Sequence, residues 1–363
     1  MEQYLSLMRE VLGTGDVVFE PRTKTYTIGL GGAQRKFDLR EGFPLMTTKK
    51  VNPRLPGEEL FWKLRGGSSV KPLFDRKVHI WDENGYQHWL KGQGLDKERP
   101  KHSEAWENGF KEYQAMLATS PDAMAIGGLG PVYGAQWRGG SVRGGQPVDQ
   151  LKKVVDGLKR NPYSRYHLLS AWNPASLEDM ELGPCPMVHQ FSAFGKALDL
   201  HLYQRSCDTL LGVPFNIAQD SLLLSLVARE VGLQPRMFFH TYANVHFYLG
   251  VSPRGEFWAH PENVREFQRK FNAIGPRDGE GYLTLNDWYL ANASPEAKID
   301  ERKDHVPFVL TQLSKSPRPL PRLELKDVGF WDIVNNSEVR FEDVAVVHDY
   351  NPHIWDAKAR MAA

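Results

Sequence analysis

"ALDLHLYQRSCDTLLGVPFNIAQDSLLLSLVAREVGL", residues 197–233, changes period halfway along. Its first ten residues are strand-like, with apolar and polar side chains alternating. From Asn216 onward runs the longest apolar helical stretch of the chain, which is predicted to cross the core. Strand-like runs precede it in "RYHLLSAWN" (165–173) and "MVHQFSAF" (187–194). Others follow in "RMFFHTYANVHFYL" (236–249), "RLELK" (322–326) and "VRFEDVAVVHDY" (339–350). Residues 1–14 place Tyr4, Leu5, Met8, Val11 and Leu12 on one helical stripe. "VVFEPRTKTYTIGLGGAQRKFDL" (17–39) reads as a hairpin about Gly31-Gly32. "GEELFWKLRGG" (57–67) and "PVDQLKKVVDGLKRNP" (147–162) read as helices stopped by glycines and by Asn161-Pro162. Strands and helices mix without βαβ regularity, so the fold class is α+β.

The whole chain, 1–363, is expected to form one catalytic domain, with residues 83–127 a solvated insertion rich in Lys, Glu and Gly. Its 41% apolar and 25% charged residues are those of an ordinary soluble protein, and a net charge of +1 suggests neither a nucleic-acid nor a membrane surface. No apolar run approaches the roughly 20 residues of a membrane span. The opening "MEQYLSLMREVLGTG" carries acidic residues and lacks the regions of a signal peptide. Two cysteines cannot build a disulfide framework, and no Cys/His cluster has metal-site spacing. A cytoplasmic, metal-free protein is expected.

Cys185 stands between two prolines in "ELGPCPMVHQF" (181–191), and taken alone it could be an inert core thiol, a metal ligand, half of a disulfide or a nucleophile on a stiffened loop. Twenty residues on comes "YQRSCD", where Arg205 and Ser206 could hold a phosphate by a guanidinium fork and a hydroxyl. A nearby guanidinium would also raise the thiolate fraction, the nucleophilic form. A redox role fits less well, because no second Cys lies at Cys-x-x-Cys spacing.

Nine segments in order resemble the thymidylate synthase family along almost the whole chain. They are "PRTKTYTIGLGGAQRKFDLREGFPLMTTKK", "EELFWKLRGG", "HIWDE", "LGPVYGAQWR", "NPYSRYHLLSAWNP", "PCPMVHQF", "LYQRSCDTLLGVPFNIA", "VHFY" and "HDYNPH". The resemblance implies a twisted mixed sheet packed by helices, with the sheets back to back in a homodimer of shared active sites. It implies a nucleotide and methylenetetrahydrofolate, the latter a co-substrate, as the small-molecule partners. Cys185 matches the nucleophile that adds to C6 of a uracil ring, making C5 a carbon nucleophile. Glu59 matches the acid/base carboxylate, Tyr133 the tyrosine near the C5 proton, and Asn216 the amide that reads the pyrimidine edge. Arg22, Gln204, Arg205 and Ser206 match substrate-binding positions, phosphate above all, with Arg165 reaching in from the second subunit. His246 and Tyr248 match the pair on the sugar 3′-hydroxyl. Trp81, Asp208, Leu211, Gly212 and Phe215 match folate contacts.

An amide at Asn216 can donate to O4 and accept from N3–H, the pattern of uracil, whereas cytidylate-directed relatives are expected to carry Asp there. A mispaired buried edge costs about 1–3 kcal/mol, which favours uracil over cytosine. Three positions and one segment depart from the family pattern: Pro186 replaces a histidine, Asn84 a tryptophan, Tyr166 an arginine, and "TYANVHFY" the usual Gly-Gly-Asp-Thr lead-in. The first two loosen control of water, and water addition to the exocyclic methylene gives a hydroxymethyl group where hydride gives a methyl. The expectation is therefore a deoxyuridylate hydroxymethylase, in the host cytoplasm if phage-encoded. A thymidylate synthase is the alternative, supported by the tail "KARMAA"; a deoxycytidylate hydroxymethylase and a non-catalytic nucleotide-binding relative rank lower.

Overall fold

The computed structural model of the chain describes residues 1–251, 253–293, 302–356 and 359. Eleven strands are formed among these residues: β1 (Asp16–Glu20), β2 (Thr25–Leu30), β3 (Ala33–Asp38), β4 (Ser141–Arg143), β5 (Gln146–Val148), β6 (Leu168–Ser170), β7 (Pro186–Phe194), β8 (Ala197–Asp208), β9 (Gln234–Tyr248), β10 (Arg322–Leu325) and β11 (Ala345–His348). Seven of them make one mixed sheet in the order β1-β2-β9-β8-β7-β6, with β3 also on β9. β8 and β9 are parallel, and the other pairs in this sheet are antiparallel. The helix Gly212–Glu230 makes the crossover between them, a single βαβ unit in an otherwise α+β fold.

That central helix is buried along most of its length, with Val213, Ile217, Leu222 to Leu224, Leu226 and Val227 in the core and Gln219 and Asp220 buried among them. It packs on the face of β8 formed by Leu198, Leu200, Leu202 and Gln204, while His201 and Tyr203 on the other face are exposed. Period-two alternation thus separates a core face from an open one. The helix Arg54–Leu64 packs against the central helix and is buried along most of its length.

Three sequence expectations need correction. Gly31-Gly32 closes no hairpin: β2 and β3 do not pair with each other but lie end to end on β9, Leu30 opposite Val245 and Ala33 opposite Tyr242. At 15 residues, β9 is long enough to accept both; the true hairpin is β1–β2, turned through residues 21–24. Residues 83–127 are solvated on one side only, since Tyr86, Leu90, Trp106, Tyr113 and Leu117 of the two helices Asp82–Gln93 and Glu104–Thr119 are buried. Tyr86 lies 5.2 Å from Trp106 and 5.3 Å from Tyr113, so the segment's own aromatics join it to the core. In 339–350 the strand is confined to Ala345–His348, after a helical turn at Phe341–Val344.

The segment after β11 returns to the stretch 46–51 that leads into the helix Arg54–Leu64. Tyr350 Oη donates to the Met46 carbonyl (2.7 Å) and accepts from Val51 N–H (2.8 Å), and Trp355 Nε1 donates to the Thr48 carbonyl (2.9 Å). "KARMAA" beyond it lies outside the described residues, Ala359 excepted. Among the described residues no helix is long and apolar enough to cross a membrane, and no group of acidic, His and Cys side chains has the makings of a metal site.

Gly29 of β2 sits where β9 approaches most closely: a methyl there would lie 2.8 Å from the Val245 carbonyl and 3.0 Å from His246 Cβ. Gly29→Ala is expected to destabilise the protein by about 1–3 kcal/mol through overpacking against backbone. Equilibrium urea denaturation reads this directly, and an unchanged midpoint would contradict the tight approach.

Candidate active site

Cys185 ends the loop that feeds β7, and the two flanking prolines fix their own φ and narrow that of the residues before them. Arg205 on β8 fastens this loop with three hydrogen bonds. Its N–H donates to the Cys185 carbonyl (2.9 Å), its Nε to the Pro184 carbonyl (2.9 Å) and its Nη2 to the Gly183 carbonyl (2.6 Å). The Cys185 N–H donates in turn to Tyr133 Oη (3.0 Å). Tyr133 holds this place with a positive φ of 24°, and the next residue must be small: a Cβ on Gly134 would meet the Lys63 carbonyl at 2.4 Å. Such a conformation is rare for a bulky residue and marks a position that the surroundings over-determine.

Burial pushes the Cys185 thiol above its ordinary range, while Arg205, Lys63, the Tyr133 hydroxyl and Arg22 pull it back down. Burial also drives the Tyr133 phenol well up, so it stays a neutral donor and acceptor. Cys207 is fully buried, its thiol pushed far up by burial, and it is not a nucleophile. Both cysteines are free.

Glu59, on the helix Arg54–Leu64, faces the same interior. Its Oε1 accepts from Trp81 Nε1 (2.9 Å) and pairs with Lys63 Nζ (3.2 Å), and its Oε2 accepts from Gln219 Nε2 (2.9 Å). Trp81 therefore turns its indole N–H inward to the carboxylate, with its ring edge-on to Tyr133 at 5.8 Å. Lys63 and Gln219 were not singled out by the sequence; a Lys four residues after Glu59, on the core side of an apolar helix, is the signal that marks the first.

Asn216 lies in the first turn and a half of the central helix, half-buried, and its Oδ1 accepts from Gln204 Nε2 (3.1 Å). Gln204 also donates to the Ser206 carbonyl (3.0 Å), an acceptor only, which settles which end of its amide is which. Its Oε1 then accepts from His240 Nε2 (2.7 Å). Burial holds His240 well below the usual imidazole range, so it is neutral with its proton on Nε2. His240 is a further residue beyond the sequence expectation.

Ser206, Asp208, Leu211, Gly212 and Phe215 follow Gln204 along β8 and into the helix, all half-buried and lining one side of the site. Asp208 Oδ1 accepts from Leu210 and Leu211 N–H (3.1 and 3.0 Å), while its buried Oδ2 has no hydrogen-bond partner among the described residues. A buried carboxylate oxygen beside the apolar Leu211 and Phe215 fits a flat heterocycle bearing N–H donors, as a pterin does. Lys49, also unforeseen, donates to the Leu210 carbonyl beneath, and burial brings its amine down to about 8. His246 pairs in register with Asp208 across β8–β9 and stacks edge-on with Tyr248 at 5.2 Å. Burial lowers its pKa, leaving a neutral ring that bonds Asn244 Oδ1 (2.7 Å). Arg22 is exposed in the β1–β2 turn, near enough for its charge to act on Cys185 and Tyr248.

Arg165 is the expected site residue that this chain does not bring in. It is exposed beside Gln190, whose side chain bonds its carbonyl (3.3 Å), five residues along β7 from Cys185, roughly 16 Å by strand rise.

A family model described as thymidylate synthase matches residues 2–363. The chain is similar to the thymidylate synthase of Mesoplasma florum, 42% identical over 253 residues that cover 69% of this chain and 82% of that protein.

A thiol pushed up by burial carries less thiolate at neutral pH than a free cysteine, and gains it as pH rises through the raised pKa. Iodoacetamide should therefore modify Cys185 slowly at pH 7 and faster with each step upward, and leave Cys207 untouched. Mass spectrometry of the alkylated peptides checks both; fast labelling at pH 7 would contradict the burial.

Proposed function

We propose, for a chain that belongs to the thymidylate synthase family and is a one-carbon transferase, that it methylates C5 of deoxyuridine 5′-monophosphate. Methylenetetrahydrofolate, when bound, supplies the one-carbon unit and the hydride, leaving as dihydrofolate. Cys185 adds its sulfur to C6 and withdraws when the product is released, activating an otherwise unreactive ring carbon by a temporary bond. Arg205, fixed by the carbonyls of the same loop, keeps three further N–H bonds for the phosphate, and Ser206 adds a hydroxyl. Asn216 reads the uracil edge, Tyr133 and Glu59 handle protons, and His246 with Tyr248 takes the sugar hydroxyl. Supporting this reading above all is the convergence of Cys185, Tyr133 and Arg205 on one stiff loop, in a chain 42% identical to a thymidylate synthase.

The likeness to a thymidylate synthase reverses the order expected from sequence, where hydroxymethylation came first. Hydroxymethylation stays as the second reading because Pro186 is buried beside Cys185 and Asn84 stands in the first turn after Trp81, two places where an imidazole and an indole would order or exclude water. Incubation with deoxyuridylate and methylenetetrahydrofolate should give thymidylate and an equal amount of dihydrofolate, read by mass spectrometry and by the absorbance rise of dihydrofolate. A hydroxymethyl product without dihydrofolate would exchange the two readings.

The same proposal makes the protein a homodimer through the open sheet face, where Leu168, Phe194 and Tyr203 are exposed. Arg165 then completes the partner's phosphate site. Mixing Arg165→Ala with Cys185→Ala, each nearly inactive, should restore up to about a quarter of wild-type activity, because one site type regains both residues. No recovery after proven subunit exchange would remove Arg165 from the site.

A further inference from the structure

The donors around Glu59 close into a ring. Lys63 follows it by one helical turn, and both side chains are buried. All three N–H bonds of the Lys63 ammonium have partners: Glu59 Oε1 (3.2 Å), Gln219 Oε1 (2.7 Å) and the face of Tyr133, whose centroid is 4.5 Å away. Gln219 turns its own amide nitrogen back to Glu59 Oε2 (2.9 Å) and to the Pro56 carbonyl (3.1 Å). With Trp81, three donors from three parts of the fold fix the carboxylate at both oxygens.

Packing does not require a cation here. A buried ion pair gains little over apolar side chains of similar volume, because desolvation offsets the attraction. An apolar residue would also fill the space between two apolar helices. What the ammonium adds is a fixed rotamer for Glu59 and a positive charge beneath Tyr133, whose hydroxyl holds Cys185. The charged and titratable groups bearing on Cys185 are Arg205 and Cys207 from β8, Arg22 from the β1–β2 turn, Tyr248 from β9, Tyr133 and Lys63 itself, while Glu59, on the helix Arg54–Leu64, acts on Tyr133.

We propose that Lys63 is a positioning residue of the one-carbon transfer, locking Glu59 as a hydrogen-bond acceptor and setting a positive charge beneath the tyrosine that holds Cys185. The proposal rests on the reading of Glu59 and Cys185 given above. Lys63→Met should leave KM for deoxyuridylate within about threefold while kcat falls on the order of 100-fold, the usual effect of a catalytic group set loose by about 1 Å. In the resting enzyme, iodoacetamide labelling of Cys185 at pH 8 should slow several-fold, and Lys63→Arg should restore part of both losses. Unchanged kcat and labelling in Lys63→Met, or a loss of thermal stability alone, would overturn the assignment. Should Lys63→Met fail to fold, Gln219→Leu opens the ring and keeps the cation: kcat should fall with labelling unchanged, and wild-type kcat would overturn the proposal. Glu59→Gln with full turnover would instead sink the reading of Glu59, and the labelling arm, which needs no turnover, would still judge the charge.

Discussion

One side chain ties the site together. The Arg205 guanidinium holds the carbonyls of Gly183 and Pro184 while its backbone holds that of Cys185, so the Cys185 loop is stitched to β8 rather than left to its own turn. β8 then carries Ser206 and Asp208 onward and delivers the chain to the central helix with Leu211, Gly212, Phe215 and Asn216. About thirty consecutive residues thus set the Cys185 thiol, the Arg205 guanidinium, the Asn216 amide and the apolar Leu211 and Phe215 in one frame, with β9 alongside placing His246 opposite Asp208. Preorganisation of this kind is what covalent catalysis needs, because reacting atoms must meet within a few tenths of an ångström.

Polar side chains run deep beneath that frame. Glu59, Lys63, Gln219, Gln204, His240, His189 and Asp220 are all buried, and His189 Nε2 meets Asp220 Oδ1 at 2.9 Å. Such networks specify a unique arrangement when satisfied and are costly when broken. Here they bond directly to candidate site residues, Gln219 to Glu59 and Gln204 to Asn216, so core and candidate site are one structure.

Much of this was legible in the sequence because period and composition agree with burial. The strands β6 to β11 and the central helix follow from alternation and apolar runs, while Cys185 and Arg205 stand out in short motifs and Asn216 enters as a candidate through the family resemblance. What escaped depends on contacts far apart in the chain. Gly31-Gly32 reads as a hairpin locally, but pairing with β9, some 210 residues away, decides otherwise. Residues 83–127 look solvated by charge count, yet Tyr86, Trp106 and Tyr113 meet across two helices. Lys63 and His240 look like ordinary surface and strand residues until the fold places them against Glu59 and Gln204.

The chain of amides behind Asn216 has a direction. The Ser206 carbonyl can only accept, so the Gln204 amide cannot turn over without setting two lone pairs against each other. Asn216 is therefore met at Oδ1, and its NH2 is left for whatever lies in front. The sense of that arrow is carried by a single proton on Nε2 of the fully buried His240 ring. Information about hydrogen-bond polarity is thus stored inside the sheet and only displayed at the surface of the site. A relative with the same Asn but another residue at position 240 would keep the letter and lose part of the grammar that fixes how it is read.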